Sequence, residues 1–400
     1  MSTSCRIEYL SKVKRVVIKL GTAVVMSENG GVSLSRFYSF VEDIAYLIGQ
    51  DIEVLLVSSG AVGLGARRLG LNERPGTLPG KQACASVGQG LLMSLYADAF
   101  QKLGINTGQV LLTEDDFTNR KRYLNLRSTI AELIRLKVLP IVNENDTVAT
   151  TELESSGDSV TSGVKVNFGD NDKLSALVAS KIEADLLVIL TDVEGLYDRD
   201  PRANQDASII SLVEEITDCL ADKILLSAQG KDGSTGSSVG RGGIKTKLEA
   251  ARVATQSGLA CVIASGREPS VIARVLKGED IGTFFMPQKA MTGRMKWIAF
   301  ATTVSACLVV NEGARRALEL GKASLLPKGV VEVKGDFKRG DVVSILDPQG
   351  AEFARGMVNY DSQESRSIAG RHSAEIKAII QNPNYDAIVT RDNLALLNRK

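Results

Sequence analysis

The chain has 400 residues, of which 44% are hydrophobic, enough for two ordinary domains with sizeable apolar cores. Its 48 Lys and Arg residues nearly balance 47 Asp and Glu residues, so the net charge of +1 excludes a global field that would draw the chain to nucleic acid or to an acidic membrane surface. Five scattered cysteines, without a Cys-x-x-Cys pair, favour reduced thiols over a disulfide framework or a zinc site.

Two further absences in the sequence narrow the expected function. The sequence has no basic and then apolar leader, and no apolar run approaches the roughly 18 residues needed to span a bilayer, so we expect a cytoplasmic protein without a membrane partner. The single histidine, His372, lies far along the chain from the glycine-rich motifs described below. We therefore expect neither a Ser-His-Asp hydrolase nor a His-ligated metal site, and no metal-ligating residue is predicted.

The first 265 residues alternate short apolar runs with helical patterns. Near-continuous apolar runs of this kind are typical of strands buried on both faces, as in a parallel sheet. The predicted strands are residues 16–20, 53–58, 109–113, 138–142, 185–191 and 260–264. The predicted helices are residues 35–49, 84–103, 117–136, 172–181 and 245–257. The alternation predicts an α/β fold, a three-layer α/β/α sandwich around a mostly parallel sheet.

The texture of the sequence changes near Ser305. Short β-like runs are then separated by Gly-Asp turns, which predicts a small β-rich domain. We expect a larger domain over residues 1–300, the β-rich domain over 305–382 and a polar tail over 383–400. The Ser-, Gly- and Glu-rich stretch 151–166 is predicted to be a mobile surface insertion.

A lysine lies near the end of the first predicted strand, in Arg-Val-Val-Ile-Lys-Leu-Gly-Thr. Lys19 falls in a run that should be buried, and a buried ammonium group needs an anionic partner. At the carboxyl end of a parallel strand, before a glycine turn, it could reach a transferred phosphoryl group. The alternative is a strand-end lysine that simply extends to water.

Acidic and amide groups are concentrated at residues 169–176, Gly-Asp-Asn-Asp-Lys-Leu-Ser-Ala. Apolar positions from Leu174 onward share one helical face, so Asp172 is predicted to be the N-cap, with Asp170 and Asn171 in the preceding loop. The start of a helix suits anionic ligands, while the carboxylates and the amide could hold a substrate ammonium group or a hydrated cation. An ordinary capped loop is the alternative.

Polar or glycine-rich segments also follow the other predicted strands. The segment 58–65, Ser-Ser-Gly-Ala-Val-Gly-Leu-Gly, permits close approach of the backbone to a ligand, or is a plain tight turn. Segment 142–146, Val-Asn-Glu-Asn-Asp, and segment 190–197 place further polar groups at strand ends, where open α/β sheets bind ligands. Residues 236–247 are predicted to form a flexible glycine-rich loop whose lysines enclose nucleotide phosphates, although it is not a Walker loop.

Taken in chain order, these motifs resemble the amino-acid kinase family. The resemblance rests on Val-Ile-Lys-Leu-Gly-Thr, Ser-Ser-Gly-Ala, Val-Asn-Glu-Asn-Asp, Gly-Asp-Asn-Asp-Lys-Leu-Ser-Ala, Leu-Thr-Asp-Val-Glu-Gly-Leu-Tyr and Gly-Gly-Ile-Lys-Thr-Lys. The two motifs Asn-Glu-Asn-Asp and Gly-Asp-Asn-Asp resemble the corresponding motifs of the family members that act on glutamate. Beyond residue 305, Leu-Leu-Pro-Lys-Gly-Val and Gly-Asp-Phe-Lys-Arg-Gly-Asp-Val-Val resemble a PUA domain.

The resemblance implies ATP-dependent phosphorylation of the side-chain carboxylate of L-glutamate to L-glutamyl 5-phosphate, the first step toward proline, with Mg²⁺ accompanying ATP. It implies that Lys19 and Lys247 neutralise the phosphoryl group and that Asp172 holds both lysines in place. The implied glutamate-binding residues are Ser59, Asp146 and Asn171. The implied ATP-binding residues are Lys19, Thr191, Asp192, Arg241, Gly242, Gly243, Ile244, Lys245, Thr246 and Lys247. Feedback inhibition by proline and a homodimer or homotetramer are further implications.

Two alternatives remain open. The acceptor could be another carboxylate, aspartate or N-acetylglutamate, or the chain could bind RNA, since PUA-like domains often recognise RNA. Residues 305–382 hold 11 Lys or Arg against 10 Asp or Glu, too little positive charge for strong phosphate-driven binding, so RNA is the less favoured partner. A glutamate carboxylate, with a pKa near 4.3, is already ionised at neutral pH. Phosphorylating it therefore needs positioning and charge neutralisation but no histidine base.

Overall fold

The residues that the computed structural model describes fall into two compact units, the first holding those up to Gln288 and the second those from Met295 onward. The described residues are 2–27, 31–71, 73, 75–113, 115–118, 120–148, 171–199, 201, 204, 206–227, 238–288, 295, 298–299, 304, 306–320, 323–372, 375 and 386–397. The predicted insertion 151–166 lies outside them, as do residues 236 and 237 of the predicted glycine-rich loop. Among the described residues, no helix is both long enough and apolar enough to cross a bilayer.

A large, mostly parallel sheet forms the centre of the first unit. Its described strands are β1 Arg15–Leu20, β2 Glu53–Ser58, β3 Asn106–Leu112, β4 Val138–Glu144, β5 Leu186–Thr191, β6 Leu212–Val213, β7 Ala260–Ser265 and β8 Thr283–Phe285. They are ordered β3-β4-β2-β1-β5-β7-β8-β6, and each neighbouring pair is parallel except β7 and β8. The predicted α/β class and mostly parallel sheet are confirmed.

Helices cover both faces of this sheet. The described helices are α1 Ser2–Leu10, α2 Thr22–Val25, α3 Leu34–Gly49, α4 Ala61–Arg68, α5 Leu78–Gln101, α6 Asp115–Thr118, α7 Arg120–Arg135, α8 Asn171–Lys181, α9 Asp218–Ser227, α10 Ser238–Gln256 and α11 Val271–Leu276. Side chains alternate along β1, so Ile18 and Leu20 join the core beneath α3, α5 and α11, whereas Lys19 faces α8. The first unit therefore has three layers, with the sheet between two layers of helices.

The second unit is built around a smaller sheet. Its described strands and α-helices are β9 Cys307–Val310, α12 Glu312–Glu319, β10 Val330–Lys334, β11 Val342–Leu346, β12 Glu352–Met357, α13 Ser362–Ile368 and β13 Leu394–Leu396. The sheet order is β10-β9-β11-β12-β13, and the predicted turns at Gly335 and Gly340 have the positive φ that glycine allows. The predicted β-rich domain is confirmed by this second sheet.

The predicted polar tail beyond residue 383 differs from what the described residues 386–397 show. Ile388 and Val389 are fully buried in the core of the second unit, and β13 pairs antiparallel with β12. Short apolar runs separated by Pro, Asn and Asp carry too weak a periodicity to predict a strand from sequence. Burial against an existing sheet edge supplies the stability that the local pattern lacks.

Two glycines allow α4 and α5 to pack at very short range. A Cβ atom added at Gly88 would lie 1.7 Å from the carbonyl oxygen of Ala61, and one added at Gly65 would lie 1.8 Å from the carbonyl oxygen of Cys84. The sequence predicts that the glycines of segment 58–65 let the backbone approach a ligand or form a plain tight turn. Gly65 instead allows one helix backbone to approach another.

Replacing Gly88 with alanine is expected to destabilise the first unit by about 2 kcal/mol, because overpacking against a backbone atom cannot be relieved by a side-chain rotation. Gly90→Ala is the matched control on the same helix, since a Cβ atom there meets nothing within 4 Å. That control should be neutral or slightly stabilising, because alanine favours a helix over glycine. Urea unfolding of both variants measures the difference, and equal stabilities would contradict the close packing.

Candidate active site

Five adjacent parallel strands place polar residues along one edge of the large sheet. In spatial order, the strand ends carry Asn143, Ser59, Lys19, Thr191 and Ser265. The registers align these ends, since Leu20 lies beside Ser58 on one side and Leu190 on the other. Neighbouring strands are about 4.8 Å apart, so the row extends over roughly 19 Å at the carboxyl edge, where open α/β sheets bind ligands.

Lys19, Asp172 and Lys247 form a buried ion triad near the middle of this edge. The Lys19 Nζ lies 2.6 Å from Asp172 Oδ1, and the Lys247 Nζ lies 3.0 Å from Asp172 Oδ2. The side chain of Asp172 is fully buried and those of Lys19 and Lys247 are 5% and 12% exposed. Two ammonium groups and one carboxylate leave a single net positive charge in a region of low dielectric, where it acts strongly on a bound anion.

The triad keeps the Asp172 carboxylate ionised. Burial is the largest single influence and by itself would raise the pKa of Asp172, but the charges and hydrogen bonds of Lys19 and Lys247 together outweigh it. The pKa of Asp172 therefore lies below its ordinary value. At neutral pH the carboxylate is a permanent anion that binds both lysines.

The predicted N-cap and the predicted loop both differ from the observed helices. Helix α8 begins at Asn171, so Asp172 lies inside its first turn, and its carboxylate meets the lysines instead of capping the helix. Asn171 likewise lies in the helix and not in the loop, and Asp170, also predicted in the loop, lies outside the described residues. The side chains of these two neighbours point in directions about 100° apart, which lets one helix start serve two groups of residues.

Residues 238–247 of the predicted glycine-rich loop lie in helix α10. Glycines lower helix propensity, which favoured a loop on sequence grounds, but tertiary contacts override that preference here. Thr246 Oγ1 lies 3.3 Å from Asp172 Oδ2, and Lys247 Nζ donates to the carbonyl oxygen of Gly243 at 3.2 Å. The contact of Thr246 with Asp172 and the ion pair of Lys247 with Asp172 join α10 to α8, whereas the hydrogen bond from Lys247 to Gly243 lies within α10.

The other residues implied to bind nucleotide at 241–247 are less enclosed. Ile244 is half-buried and Lys245 is exposed, while Gly242 and Arg241 contribute backbone to α10 and the side chain of Arg241 lies outside the described part of the structure. Thr191 is buried at the end of β5, and its hydroxyl donates to Asp192 Oδ1 at 3.1 Å. Asp192 itself is exposed at the sheet edge.

Asn171 is the centre of a cluster of amides and hydroxyls on the β2 and β4 side of the triad. Its Nδ2 lies 2.7 Å from Ser59 Oγ, 3.0 Å from Asn143 Oδ1 and 3.3 Å from the carbonyl oxygen of Ser58. Asn143 Nδ2 in turn donates to Gln89 Oε1 at 2.8 Å. The structure thus brings Ser59 and Asn171 together as the resemblance implied, and it adds Asn143, which is buried.

Helix α5 contributes two side chains that form hydrogen bonds with this cluster. The hydroxyl groups of Tyr96 and Ser58 lie 2.8 Å apart, and both residues are fully buried. Gln89 and Tyr96 are seven residues apart and so share a helix face. No sequence signal points to Gln89, because an amide within a helix is ordinarily solvated. Asn143 belonged to a predicted strand-end motif, in which Asp146 was preferred; Asp146 is partly exposed in the turn that follows β4.

The arrangement divides the sheet edge into three regions. Amide and hydroxyl groups lie over β4 and β2, ammonium groups over β1, and the Thr191–Asp192 pair over β5. Such a row can hold a polar acceptor at one end and an anionic donor at the other, with positive charge where a group passes between them.

Comparisons with known proteins show the family to which the chain belongs. Residues 14–265 match the sequence profile of the Amino acid kinase family, and residues 307–380 match that of the PUA domain. The chain is 45% identical to a protein named glutamate 5-kinase from Caldanaerobacter subterraneus subsp. tengcongensis, over 96% of this chain and 98% of that protein. The proteins of the same name from Citrifermentans bemidjiense and Trichormus variabilis are 45% and 47% identical, covering 98% and 96% of this chain and 100% and 99% of theirs. The resemblance drawn from the motifs is thereby confirmed.

Replacing Asp172 with asparagine is expected to lower the free energy of unfolding by about 3 kcal/mol at pH 7, because Lys19 then lies buried without an anion. A carboxylate whose folded pKa is depressed stabilises the fold above its unfolded pKa, about 3.9, and this contribution disappears as the pH falls through the folded value. The difference between wild type and variant should therefore be full above about pH 4 and shrink below it. Urea unfolding across this range measures it.

A surface pair provides the matched control for Asp172→Asn. Glu8, on α1, and Lys12, in the turn that follows it, form an ion pair 2.8 Å long, with both side chains at least 70% exposed. Glu8→Gln should leave the unfolding midpoint unchanged, because solvent screens exposed pairs. An equally small effect of Asp172→Asn would contradict the structural importance of the triad.

Proposed function

Because the chain belongs to the amino acid kinase family, we propose that it transfers the γ-phosphoryl group of ATP to the side-chain carboxylate of L-glutamate. The product is L-glutamyl 5-phosphate, the first intermediate toward proline. The convergence of Lys19 and Lys247 on Asp172, between an amide cluster and the Thr191–Asp192 pair, is the observation that carries this proposal.

The reaction needs no proton transfer at the acceptor. A carboxylate oxygen of glutamate, ionised at neutral pH, attacks the γ-phosphorus of ATP, and a new C–O–P linkage forms. The bond between the γ-phosphorus and the oxygen that bridges it to the β-phosphate breaks, and ADP leaves with that electron pair. The γ-phosphoryl group, with the negative charge on its oxygens, thus moves past the triad from ATP to glutamate.

Lys19 and Lys247 stabilise that migrating charge. Both ammonium groups are fixed by Asp172 before any ligand arrives, so little reorganisation is needed when negative charge develops on the transferred group. Asp172 acts as a positioning residue, since both of its oxygens are occupied by the lysines. The pKa of Asp172, which lies below the ordinary range, makes it a poor proton acceptor and supports this role.

Glutamate is assigned to the β2 and β4 side. Ser59, Asn171 and Asp146 offer hydroxyl, amide and carboxylate groups there, suited to the α-ammonium and α-carboxylate groups of an amino acid. ATP is assigned to the β5 side, with Thr191, Asp192 and the residues of α10 from Arg241 to Lys247. Support for this division comes from the strand order, which places β1 with Lys19 between the two groups, and from Asp172, which binds both Lys19 and Lys247.

Mg²⁺ is proposed to accompany ATP. The described residues contain no group of three or more His, Cys, Asp or Glu side chains placed to share a metal ion, and the oxygens of Asp172 already bind ammonium groups. Mg²⁺ prefers phosphate oxygens and water as ligands. The described side chains of the site therefore fit an ion that is held mainly by the nucleotide. When bound, the ion neutralises part of the charge on the β- and γ-phosphates.

Further proposals concern regulation and assembly. Inhibition by proline at the glutamate site and assembly into a homodimer or homotetramer are proposed from the family resemblance. A cytoplasmic location is proposed from the scattered cysteines, of which Cys84, Cys219, Cys261 and Cys307 are free thiols in the structure. For the PUA domain we propose an interaction or regulatory role in preference to RNA binding, because its charges nearly balance.

The direct test is formation of an acyl phosphate by the purified protein. ATP, Mg²⁺ and hydroxylamine are supplied with glutamate, aspartate or N-acetylglutamate, each with and without proline, and hydroxamate is measured. We expect product from glutamate alone and less product when proline is present. Product from aspartate but not glutamate would reassign the acceptor, and no product from any carboxylate would refute the kinase activity.

Lys19→Met is expected to lower kcat at least about a hundredfold, because a fixed positive charge beside the transferred group is lost. Asp172 keeps Lys247 as a partner, so the variant should fold, which its thermal unfolding curve can verify. Lys12→Met makes the same chemical change at an exposed lysine in the turn after α1 and should keep the wild-type rate. A Lys19 variant that retains its kcat would contradict the assigned role.

A further inference from the structure

One backbone carbonyl group determines the orientation of every amide in the cluster around Asn171. The carbonyl oxygen of Ser58 can only accept a hydrogen bond, so the Asn171 atom that faces it at 3.3 Å must be Nδ2. The same Nδ2 faces Asn143 at 3.0 Å, so Asn143 must present its Oδ1. Asn143 Nδ2 is then directed at Gln89, which must present Oε1 at 2.8 Å. Donors and acceptors follow in a single consistent order.

This order leaves one acceptor inside the site. Asn171 Oδ1 is buried, and no described group donates to it. A buried acceptor without a donor costs free energy, and a ligand that supplies an N–H group removes that cost. The two N–H groups of Asn171 Nδ2 are directed toward the Ser58 carbonyl oxygen, Ser59 Oγ and Asn143 Oδ1, so exchanging Nδ2 with Oδ1 would place an acceptor against the Ser58 carbonyl oxygen and Asn143 Oδ1.

We propose that Gln89 is a positioning residue that fixes this order through Asn143, so that Asn171 Oδ1 accepts a hydrogen bond from the α-ammonium group of the amino-acid acceptor. The inference rests on the proposed function and deepens it, because it assigns one contact that distinguishes an amino acid from a simple dicarboxylate. Gln89 acts at a distance, through the buried Asn143, from a partly buried position on α5.

Removing the acceptor at position 89 should disturb that order. Without Gln89 Oε1, Asn143 Nδ2 has lost its described acceptor, and the Asn143 amide gains by rotating toward another one. Rotation replaces the oxygen that faces Asn171 with a donor, which opposes Asn171 Nδ2. The Asn171 amide is then held by Ser58 and Ser59 alone, and its oxygen is presented less firmly.

The test uses the full-length enzyme and compares Gln89→Met with Gln89→Glu. Gln89→Met removes the acceptor at nearly constant size and should raise KM for glutamate about fivefold, the factor that one neutral hydrogen bond typically contributes. KM for ATP should not change. Gln89→Glu retains an oxygen that accepts from Asn143 and should keep KM for glutamate within about twofold of wild type.

Glutarate probes the contact itself, because it is glutamate without the ammonium group. The inhibition constant of glutarate should be the same in wild type and Gln89→Met. The preference for glutamate over glutarate in Gln89→Met should therefore fall by the same factor by which KM for glutamate rises. Gln101→Met is the matched control: it makes the same change at an exposed position on the same helix, about 18 Å further along, and should leave all constants unchanged.

The outcomes separate the inference from the proposed function. A wild-type enzyme that phosphorylates no glutamate overturns both. An active wild type with an unchanged KM for glutamate in Gln89→Met, or a loss that Gln89→Glu shares, overturns the inference alone. Gln89→Ala also lacks the acceptor and suits a helix, so it replaces Gln89→Met if that variant does not fold and should give the same rise in KM.

Discussion

The stability of the first unit depends on the ion pairs that the Asp172 carboxylate makes with Lys19 and Lys247. Two lysine side chains cannot be buried side by side without an anion, since their repulsion and their lost hydration both oppose folding. Asp172 compensates both costs at once, because each of its oxygens binds one ammonium group. It also joins three elements, since β1, α8 and α10 each contribute one member of the triad. The residues that prepare the site for an anion are thus the ones that hold these elements together.

Neighbouring residues at the start of α8 separate two kinds of chemistry. Asp172 is directed at ammonium groups, whereas Asn171 is directed at neutral amides and a hydroxyl group. Because both belong to one rigid helix turn, the distance between the two groups of residues is fixed by helix geometry and not by a loop. Transfer reactions depend on such fixed spacing, since small displacements of the reacting groups are costly in rate.

The sequence predicted the large sheet and the residues at its edge because their signals are local. Lys19 was recognisable as a charge in an apolar strand, and Ser59, Asn143 and Thr191 follow apolar runs directly. The glycine-rich start of α10 was predicted to be a loop, because propensity is local whereas its contacts with Asp172 come from a residue far away in sequence. Gln89 could not be predicted for the same reason: its partner is on another element, and the helix pattern around it carries no record of that contact.

The short-range packing of α4 against α5 has a dynamic consequence. Helix α4 begins just after Ser59, and α5 carries Gln89 and Tyr96, so both helices adjoin the amide cluster. Backbones in direct contact at Gly65 and Gly88 leave no room for either helix to unwind alone. We expect their amide hydrogens to exchange as one cooperative unit, so that local opening of α5 and loss of order around Ser59 occur in the same event.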